Sequence, residues 1–205
     1  MSVVAGSQRR VGVFGGAFDP PHTAHSALVM AALEQLQLDE LRVVPTGEAW
    51  HKNRSLTPAV HRLEMVRLAF ARLDRVVVDP REIRRNGPSY TVDTLAELRD
   101  EIPIDKLFLI IGEDQAAALT TWHRWREIPD FATICVAARA GIAGARGTFD
   151  ALSGGFVPFQ PIELPPMDVS ATDIRERLAN RQSVAPLVFE PVARYIAHHH
   201  LYQTA

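Results

Sequence analysis

The sequence is poor in the features that mark secreted, membrane-spanning and nucleic-acid-binding proteins. It has one cysteine, Cys135, among 205 residues, so no intramolecular disulfide can form and a cytoplasmic location is expected. Its 22 basic and 24 acidic side chains nearly balance, which gives no electrostatic reason to expect binding to nucleic acid or to a membrane surface. No apolar run approaches the roughly 20 residues that a helix needs to cross a bilayer. Residues 1–10, MSVVAGSQRR, are too short and too broken in apolar character for a secretory signal peptide.

Two common nucleotide-binding motifs are also missing. The sequence contains no GxxxxGK[ST], which excludes a P-loop, and Gly12–Gly16 does not fit GxGxxG. Gly141, Gly144 and Gly147 form a glycine series, but no helical pattern follows them. We interpret residues 140–158 as a mobile loop. The P-loop and the GxGxxG constructions of a nucleotide site are therefore both excluded.

Short apolar runs alternate with helical patterns along the first two thirds of the chain. The candidate strands are Val11–Phe14, Leu41–Val44, Val76–Val78, Leu107–Ile111 and Thr133–Ala137. Apolar residues at helical spacing fall between them, in Ala24–Leu38, Pro58–Leu73 and Thr91–Arg99. This alternation predicts an α/β fold with a parallel sheet covered by helices on both faces. We expect one domain over residues 1–205, with its core at about 9–140.

The last third of the chain has a different pattern. A short extended piece ends at Leu164-Pro165-Pro166, and a small C-terminal helical part is expected at about 165–202. Its predicted helices are Asp173–Asn180 and Val192–His200. The histidines 198–200 are interpreted as a helix C-terminus rather than a metal site, because consecutive helical residues point about 100° apart.

The segment Gly15–His25, GGAFDPPHTAH, has the composition of an anion-binding turn. Glycine lets the backbone turn sharply and lets an anion approach, and the prolines stiffen the loop. A helix that begins near His22 offers free N–H donors and the positive end of its dipole. His22 and His25 are three residues apart, so in a first helical turn both rings face roughly the same way. We predict a phosphate site here.

Two other interpretations of the histidine pair remain open at this point. Isolated HxxH pairs are often surface or helix-capping histidines. A zinc pair would need a third ligand nearby, and helical zinc pairs favour an i, i+4 spacing. The preceding strand, the paired glycines and the DPP loop favour the phosphate site over both.

A second helix start, in VSATDIR at residues 169–175, has similar chemistry. Ser170 followed by Asp173 is a capping pattern, which alone indicates a capped surface helix. Ser170, Thr172 and Arg175 also supply two hydroxyls and a guanidinium beside free N–H groups. Two such anion cradles suit a polyphosphate.

These segments resemble the nucleotidyltransferase superfamily with paired histidines. GGAFDPPHTAH is similar to its signature GGxFDPxHxGH, and VSATDIR is similar to its ISSTxIR. SYTVDTL at 89–95 and IGEDQAAALTTWHRW at 111–125 resemble the bacterial nicotinate-nucleotide adenylyltransferase branch. Ala24 and Ala171 depart from the usual glycine and second serine. The resemblance implies a Rossmann-like doubly wound parallel sheet.

The resemblance also implies an adenylyltransferase of NAD biosynthesis. Such an enzyme joins nicotinate mononucleotide to ATP, giving deamido-NAD and pyrophosphate, by in-line attack of the mononucleotide 5′-phosphate on the α-phosphorus. Mg²⁺ is expected to bind mainly through phosphates and water, so no protein ligand is assigned to it. The expected partners are the two nucleotides, without nucleic acid or membrane, in a monomer or homodimer.

By the same resemblance, three groups of site residues are assigned. The catalytic group is His22, His25 and Arg175. The ATP-binding group is Gly15, Gly16, Phe18, Gly112, Asp114, Ser170 and Thr172. The mononucleotide-binding group is Thr91, Trp122, Lys52 and Arg139. Lys52 can equally be interpreted as a solvated lysine. Trp122 can also be interpreted as a half-buried packing residue.

Three other functions fit parts of the sequence. A sibling enzyme would transfer a nucleotidyl group to another phosphate, such as phosphopantetheine, and residues 89–95 and 111–125 argue against it. A regulatory module would bind nucleotide without turnover, which the intact His22, His25 and Arg175 disfavour. A metal-dependent hydrolase would need metal ligands at helical spacing, and the sequence lacks them.

Overall fold

The computed structural model describes residues 8–47, 56–103, 105–139 and 159–203. Within these ranges the chain forms a six-stranded sheet in which every neighbouring pair of strands is parallel. The strands are β1 (Arg10–Gly16), β2 (Glu40–Pro45), β3 (Val76–Val78), β4 (Lys106–Gly112), β5 (Ala132–Arg139) and β6 (Phe159–Leu164). The predicted α/β fold is confirmed.

Helices connect the strands and form the C-terminal part. They are α1 (Thr23–Gln35), α2 (Ala59–Phe70), α3 (Arg81–Arg84), α4 (Thr91–Glu101), α5 (Glu113–Ala117), α6 (Ile128–Phe131), α7 (Ala171–Ala179) and α8 (Glu190–His198). Short 3-10 turns lie at Leu119–Thr121 and Trp125–Glu127. None of the described helices has the length and apolar character needed to cross a membrane.

The strand order places the reversal of the sheet between β1 and β4. In the order β3-β2-β1-β4-β5-β6, the chain moves outward from β1 to β3, then returns to the centre and moves outward from β4 to β6. In an open parallel sheet, ligands bind beyond the carboxyl ends of the strands at such a reversal. Gly16 and Gly112, the last residues of β1 and β4, therefore mark the expected site.

Each face of the sheet has its own apolar core. One core contains Val29 and Leu33 of α1 with Val66 of α2, and the other contains Leu95 of α4 with Ile128 of α6. A third cluster joins the C-terminal helices to α2 and contains Met65, Ile174, Val184, Val188, Val192 and Ile196. The C-terminal part thus packs against the helix that follows β2.

Most element predictions match the described structure. The five predicted strands are present, and β6 corresponds to the extended piece that ends at Leu164. The short helices α3, α5 and α6 were not predicted, because four or five residues are too few to show a helical period. His198 ends α8 and His199 follows it as the C-cap, as expected. The predicted loop at 140–158 lies outside the described residues, and the single-domain organisation stays a prediction.

Candidate functional site

A cleft of about 330 Å³ opens at the carboxyl ends of β1 and β4. Its lining includes Gly15 and Gly16 of β1 and Gly112 of β4. A Cβ atom built on Gly15 would meet only the Val44 carbonyl oxygen, at 3.9 Å, and one on Gly112 would meet nothing within 4 Å. The backbone at both strand ends is therefore accessible from the cleft, as a bulky nucleotide would require.

The loop after β1 turns at Phe18 rather than at the glycines. Phe18 has a φ of 48°, in the left-handed region that bulky residues rarely adopt, and the Asp19–Pro20 peptide bond is cis. The Phe18 ring is 2% exposed and packs edge-on against Phe14 and His25, with centroid distances of 5.4 and 5.0 Å. Aromatic packing thus stabilises the left-handed backbone at Phe18, whose ring contacts that of His25.

The two histidines of the motif stack on each other at the start of α1. Their ring centroids are 3.7 Å apart with an interplanar angle of 28°. His22 is the N-cap residue, and its backbone N–H donates to Nδ1 of His25 at 3.1 Å. The prediction that both rings face the same way is confirmed, and this contact leaves Nε2 of His25 to carry the ring proton.

Burial determines the charge of His22 in the ligand-free protein. The side chain is 8% exposed, and burial lowers the pKa of His22 to about 4. Its Nδ1 is buried without a hydrogen-bond partner among the described residues. His22 is therefore neutral near pH 7 until a neighbouring negative charge favours its protonated form.

This lowered pKa predicts a loss of stability in acid. The unfolded chain takes up a proton at His22 near pH 6.5 and the folded protein only near pH 4, so the free energy of unfolding falls as the pH decreases through this window. We expect the contribution of His22 to fall by about 2 kcal/mol between pH 7 and about pH 4.5. Urea denaturation at both pH values, on the wild type and on His22→Gln, measures it. His200→Gln, at an exposed position, is the control, and equal pH dependence in wild type and His22→Gln would contradict the prediction.

The second predicted cradle lies beside the loop between β1 and α1, residues 17–22, which is called the histidine loop below. Arg175 of α7 donates from Nη1 to the backbone oxygen of Asp19 at 2.8 Å and from Nη2 to Oγ1 of Thr172 at 3.0 Å. Ser170 is the N-cap of α7, and its hydroxyl accepts a hydrogen bond from the backbone N–H of Asp173. The capping interpretation of Ser170 is thus confirmed. The Arg175 guanidinium lies next to the histidine loop.

A smaller cleft of about 230 Å³ separates these two helix starts. It is lined by Ala17, Phe18, Asp19, His25, Ala171, Thr172 and Arg175. His25 and Ala17 also line the larger cleft, so the two clefts meet at His25. Residues that are about 150 positions apart in the sequence therefore line the same cleft.

Two of the four residues assigned to the mononucleotide line the larger cleft, namely Thr91, the first residue of α4, and Trp122. Trp122 and Trp125 are both half-buried and pack against the same core cluster, but Trp125 is not among the lining residues. Sequence reasoning missed several polar and aromatic lining residues, namely Glu82, Ser89, Tyr90, Thr94, Gln115 and His123. The SYTVDTL similarity was a signal for three of them, because it covers positions 89–95.

One of the missed residues is a buried acid. Glu82 is 6% exposed and accepts a hydrogen bond from the Thr94 hydroxyl at 2.8 Å. Burial raises the pKa of Glu82, and the hydrogen bond from Thr94 opposes that effect. The hydroxyl of Ser89, also in the lining, is buried without a hydrogen-bond partner among the residues described. The lining of the larger cleft thus offers polar groups to a ligand.

The remaining site predictions have different placements. Asp114 lies in the first turn of α5, where it is exposed and is not among the lining residues of the larger cleft. Arg139 is the last residue of β5, and only its backbone is described. Lys52 lies outside the described residues. No group of three or more His, Cys, Asp or Glu side chains in the described ranges has the arrangement of a metal site.

A buried arginine that sequence reasoning did not single out contacts three segments around the site. Arg62 of α2 is 2% exposed. Its guanidinium donates to the backbone oxygens of Thr57 at 2.8 Å, Ala17 at 3.0 Å and Gly47 at 3.2 Å. One side chain thus connects the histidine loop, the end of the β2 segment and the start of α2.

Comparisons with known proteins agree with this architecture. Residues 13–177 match the family described as cytidylyltransferase-like. A probable nicotinate-nucleotide adenylyltransferase from Albidiferax ferrireducens is 64% identical over 197 residues, which cover 96% of this chain and 100% of that protein. A protein of the same description from Methylibium petroleiphilum is 46% identical over 202 residues. The match covers 97% of this chain and 94% of that protein.

A solved structure resembles the fold over nearly the whole chain. It is Plasmodium falciparum nicotinic acid mononucleotide adenylyltransferase complexed with NaAD, with a TM-score of 0.78 and 18% sequence identity. The match covers 95% of this chain and 98% of that chain. At this identity the likeness supports the fold.

Proposed function

The chain belongs to the nicotinate-nucleotide adenylyltransferases, a branch of the cytidylyltransferase-like family, and we propose that it joins nicotinate mononucleotide to ATP. The products are deamido-NAD and pyrophosphate, an adenylyl transfer of NAD biosynthesis. The observation that carries this proposal is the meeting of the two clefts at His25, with Arg175 in the smaller cleft and Trp122 in the larger. This geometry suits two nucleotides that react where their phosphates meet.

Positioning and charge stabilisation account for the residue types in the two clefts. The 5′-phosphate oxygen of the mononucleotide is already an anion, so its attack on the α-phosphorus of ATP needs no general base. The O–P bond to the pyrophosphate breaks as the new O–P bond forms, and negative charge collects on the phosphoryl oxygens. Imidazole N–H, guanidinium and helix N-terminal N–H groups stabilise that charge.

The triphosphate of ATP is assigned to the smaller cleft. Arg175, Thr172 and the start of α7 face its β- and γ-phosphates there. His25 faces the α-phosphate at the junction of the clefts, and His22, which lines neither cleft, stacks against His25 from within the fold. Gly15, Gly16 and Phe18 line the nucleotide side of this junction, and Gly112 with Asp114 is assigned to the ribose and adenine side. The helix dipoles of α1 and α7 both favour anions at these positions.

The nicotinate mononucleotide is assigned to the other end of the larger cleft. Trp122 offers an aromatic face to the flat pyridine ring, and Thr91 offers the backbone N–H of a helix start to the substrate carboxylate. Lys52 and Arg139 are further candidates for contact with this substrate.

Mg²⁺ is assigned to the substrate, as MgATP. The described residues contain no carboxylate cage, and Mg²⁺ that is held by phosphate oxygens and water needs none. Such an ion neutralises charge on the triphosphate and its leaving group. The residues of the two clefts then stabilise the negative charge that remains on the triphosphate.

A pyrophosphate-release assay tests the proposed reaction. The purified protein is given MgATP with nicotinate mononucleotide, nicotinamide mononucleotide or phosphopantetheine. We expect pyrophosphate and deamido-NAD with the first substrate, and the second arm measures the preference between acid and amide. Pyrophosphate with phosphopantetheine alone would identify a sibling transferase. ATP binding without pyrophosphate in any arm would identify a regulatory module.

Trp122→Ala is expected to weaken mononucleotide binding. Loss of the stacking surface should raise KM for nicotinate mononucleotide about tenfold and leave kcat within about twofold, because stacking acts on bound substrate and transition state alike. Steady-state kinetics with saturating ATP measures both constants. Trp125→Ala is the matched control, since Trp125 packs against the same core cluster as Trp122 but does not line the cleft. An unchanged KM in Trp122→Ala would exclude the assigned stacking role.

A further inference from the structure

The C-terminal segment, residues 187–202, makes hydrogen bonds on both sides of His22. Before His22, the hydroxyl of Tyr202 donates to Oδ1 of Asp19 at 2.6 Å. After it, the backbone N–H of Thr23 donates to the backbone oxygen of Leu187 at 2.9 Å. Thr23 is the first residue of α1, so its N–H has no partner within the helix. Two points of the C-terminal segment thus bracket the N-cap histidine.

Asp19 is the point at which four segments meet. Its carboxylate is buried, and Oδ2 accepts the Thr57 backbone N–H at 3.4 Å. Its backbone oxygen accepts the hydrogen bond from Arg175. Asp19 also lies between Phe18, with its left-handed φ, and Pro20. A shift of Asp19 would therefore move both the histidine loop and the Arg175 guanidinium.

Tyr202 is suited to be a permanent donor to this carboxylate. Burial, followed by the negative charge of Asp19, raises the pKa of the Tyr202 hydroxyl above its usual range. The hydroxyl therefore stays protonated across the pH range in which enzymes work. A hydrogen bond from a neutral donor to a buried carboxylate is among the stronger ones in proteins.

We propose that Tyr202 is a positioning residue for adenylyl transfer, which acts through Asp19 on the placement of His22, His25 and Arg175. The inference rests on the proposed function. Tyr202 lies 183 positions from Asp19 and does not line either cleft, so its role is to orient groups that touch the substrate. Small displacements of such groups reduce turnover, because charge stabilisation depends on their geometry at the reacting phosphate.

Tyr202→Phe removes only the hydroxyl, and Tyr195→Phe is its matched control. The Tyr195 hydroxyl lies 3.0 Å from Nδ1 of His61, at the contact of α8 with α2. This control therefore also loses one partly buried hydrogen bond of the C-terminal part. We expect Tyr202→Phe to lower kcat about tenfold with KM for both substrates within about twofold. Tyr195→Phe is expected to keep the wild-type kcat. The Tm of both variants, measured alongside, accounts for any common loss of stability.

A second readout does not depend on turnover. Histidine ¹H–¹⁵N NMR spectra of the ligand-free protein report the environment of the His22 and His25 rings. We expect these signals to shift in Tyr202→Phe and to stay in place in Tyr195→Phe. The inference is supported when both the kcat and the ring signals change in Tyr202→Phe alone. It is overturned by an unchanged kcat, by unmoved ring signals, or by equal effects in both variants.

The two readouts also separate this inference from the proposed reaction. If the wild type releases no pyrophosphate with any acceptor, the proposed function fails whatever the NMR spectra show. If the wild type turns over and Tyr202→Phe equals it, only the positioning role fails.

Discussion

Replacing His25 or His22 by alanine is expected to lower kcat about 100- to 1000-fold, the usual loss when one preorganised charge-stabilising group is removed. Binding of ATP should weaken much less, by under about tenfold, because most of the charge near these rings develops on the way to the transition state. Steady-state kinetics gives kcat, and calorimetric titration with a non-hydrolysable ATP analogue gives the affinity. His200→Ala, at an exposed position, is the control.

The structure distinguishes the two imidazoles in this experiment. His25 lines both clefts, whereas His22 is 8% exposed and stacks against His25 from within the fold. His22→Ala therefore also removes the ring that supports His25. Turnover near the wild-type rate in both variants would exclude electrostatic catalysis by the pair. Loss of ATP affinity equal to the loss of kcat would assign them to ground-state binding instead.

Among the variants considered, Arg62→Met is expected to lower the free energy of unfolding most. The methionine fills much of the volume but leaves the backbone oxygens of Thr57, Ala17 and Gly47 without their guanidinium donors. Each buried unsatisfied polar group costs about 1–3 kcal/mol, so we expect the free energy of unfolding to fall by about 3 kcal/mol or more. Urea denaturation at pH 7 measures this change.

Arg67→Met provides a matched control on the same helix. Arg67 is 53% exposed, and its ion pair with Glu64 spans 3.3 Å at the surface, so its replacement should leave stability nearly unchanged. Arg62→Lys should fall between the two, because one ammonium group does not reproduce a planar fork of donors to three acceptors. A stability loss in Arg62→Met no greater than that in Arg67→Met would show that the three carbonyl contacts contribute nothing.

The local features of the site could be predicted from the sequence. The apolar run Val11–Phe14 indicated β1, and the glycines, prolines and paired histidines after it indicated an anion site at a helix start. Ser170 and Asp173 indicated the start of α7 in the same way. Each of these signals lies within about ten residues, over which backbone geometry and helix spacing determine what can face a ligand.

The contacts that position the site could not be predicted in this way. Arg62, Tyr202 and Glu82 look in the sequence like an ordinary helix arginine, a terminal tyrosine and a surface acid. Their partners lie 45, 183 and 12 positions away, respectively, as the contacts of Arg62 with Ala17, Tyr202 with Asp19 and Glu82 with Thr94 show. Burial of each polar group follows from the packing of several elements, which no local pattern records.

The parallel α/β sheet, the starts of α1 and α7 and the resemblance to a nucleotidyltransferase could all be inferred from the amino-acid sequence, because they depend on short-range spacing and residue chemistry. Long-range packing was needed to place His25 and Arg175 in the lining of the same cleft and to make His22 buried and neutral. It also placed hydrogen bonds of the C-terminal segment on both sides of His22. These outcomes depend on the strand order and on the packing of α7 and α8 against α2, which bring distant residues together.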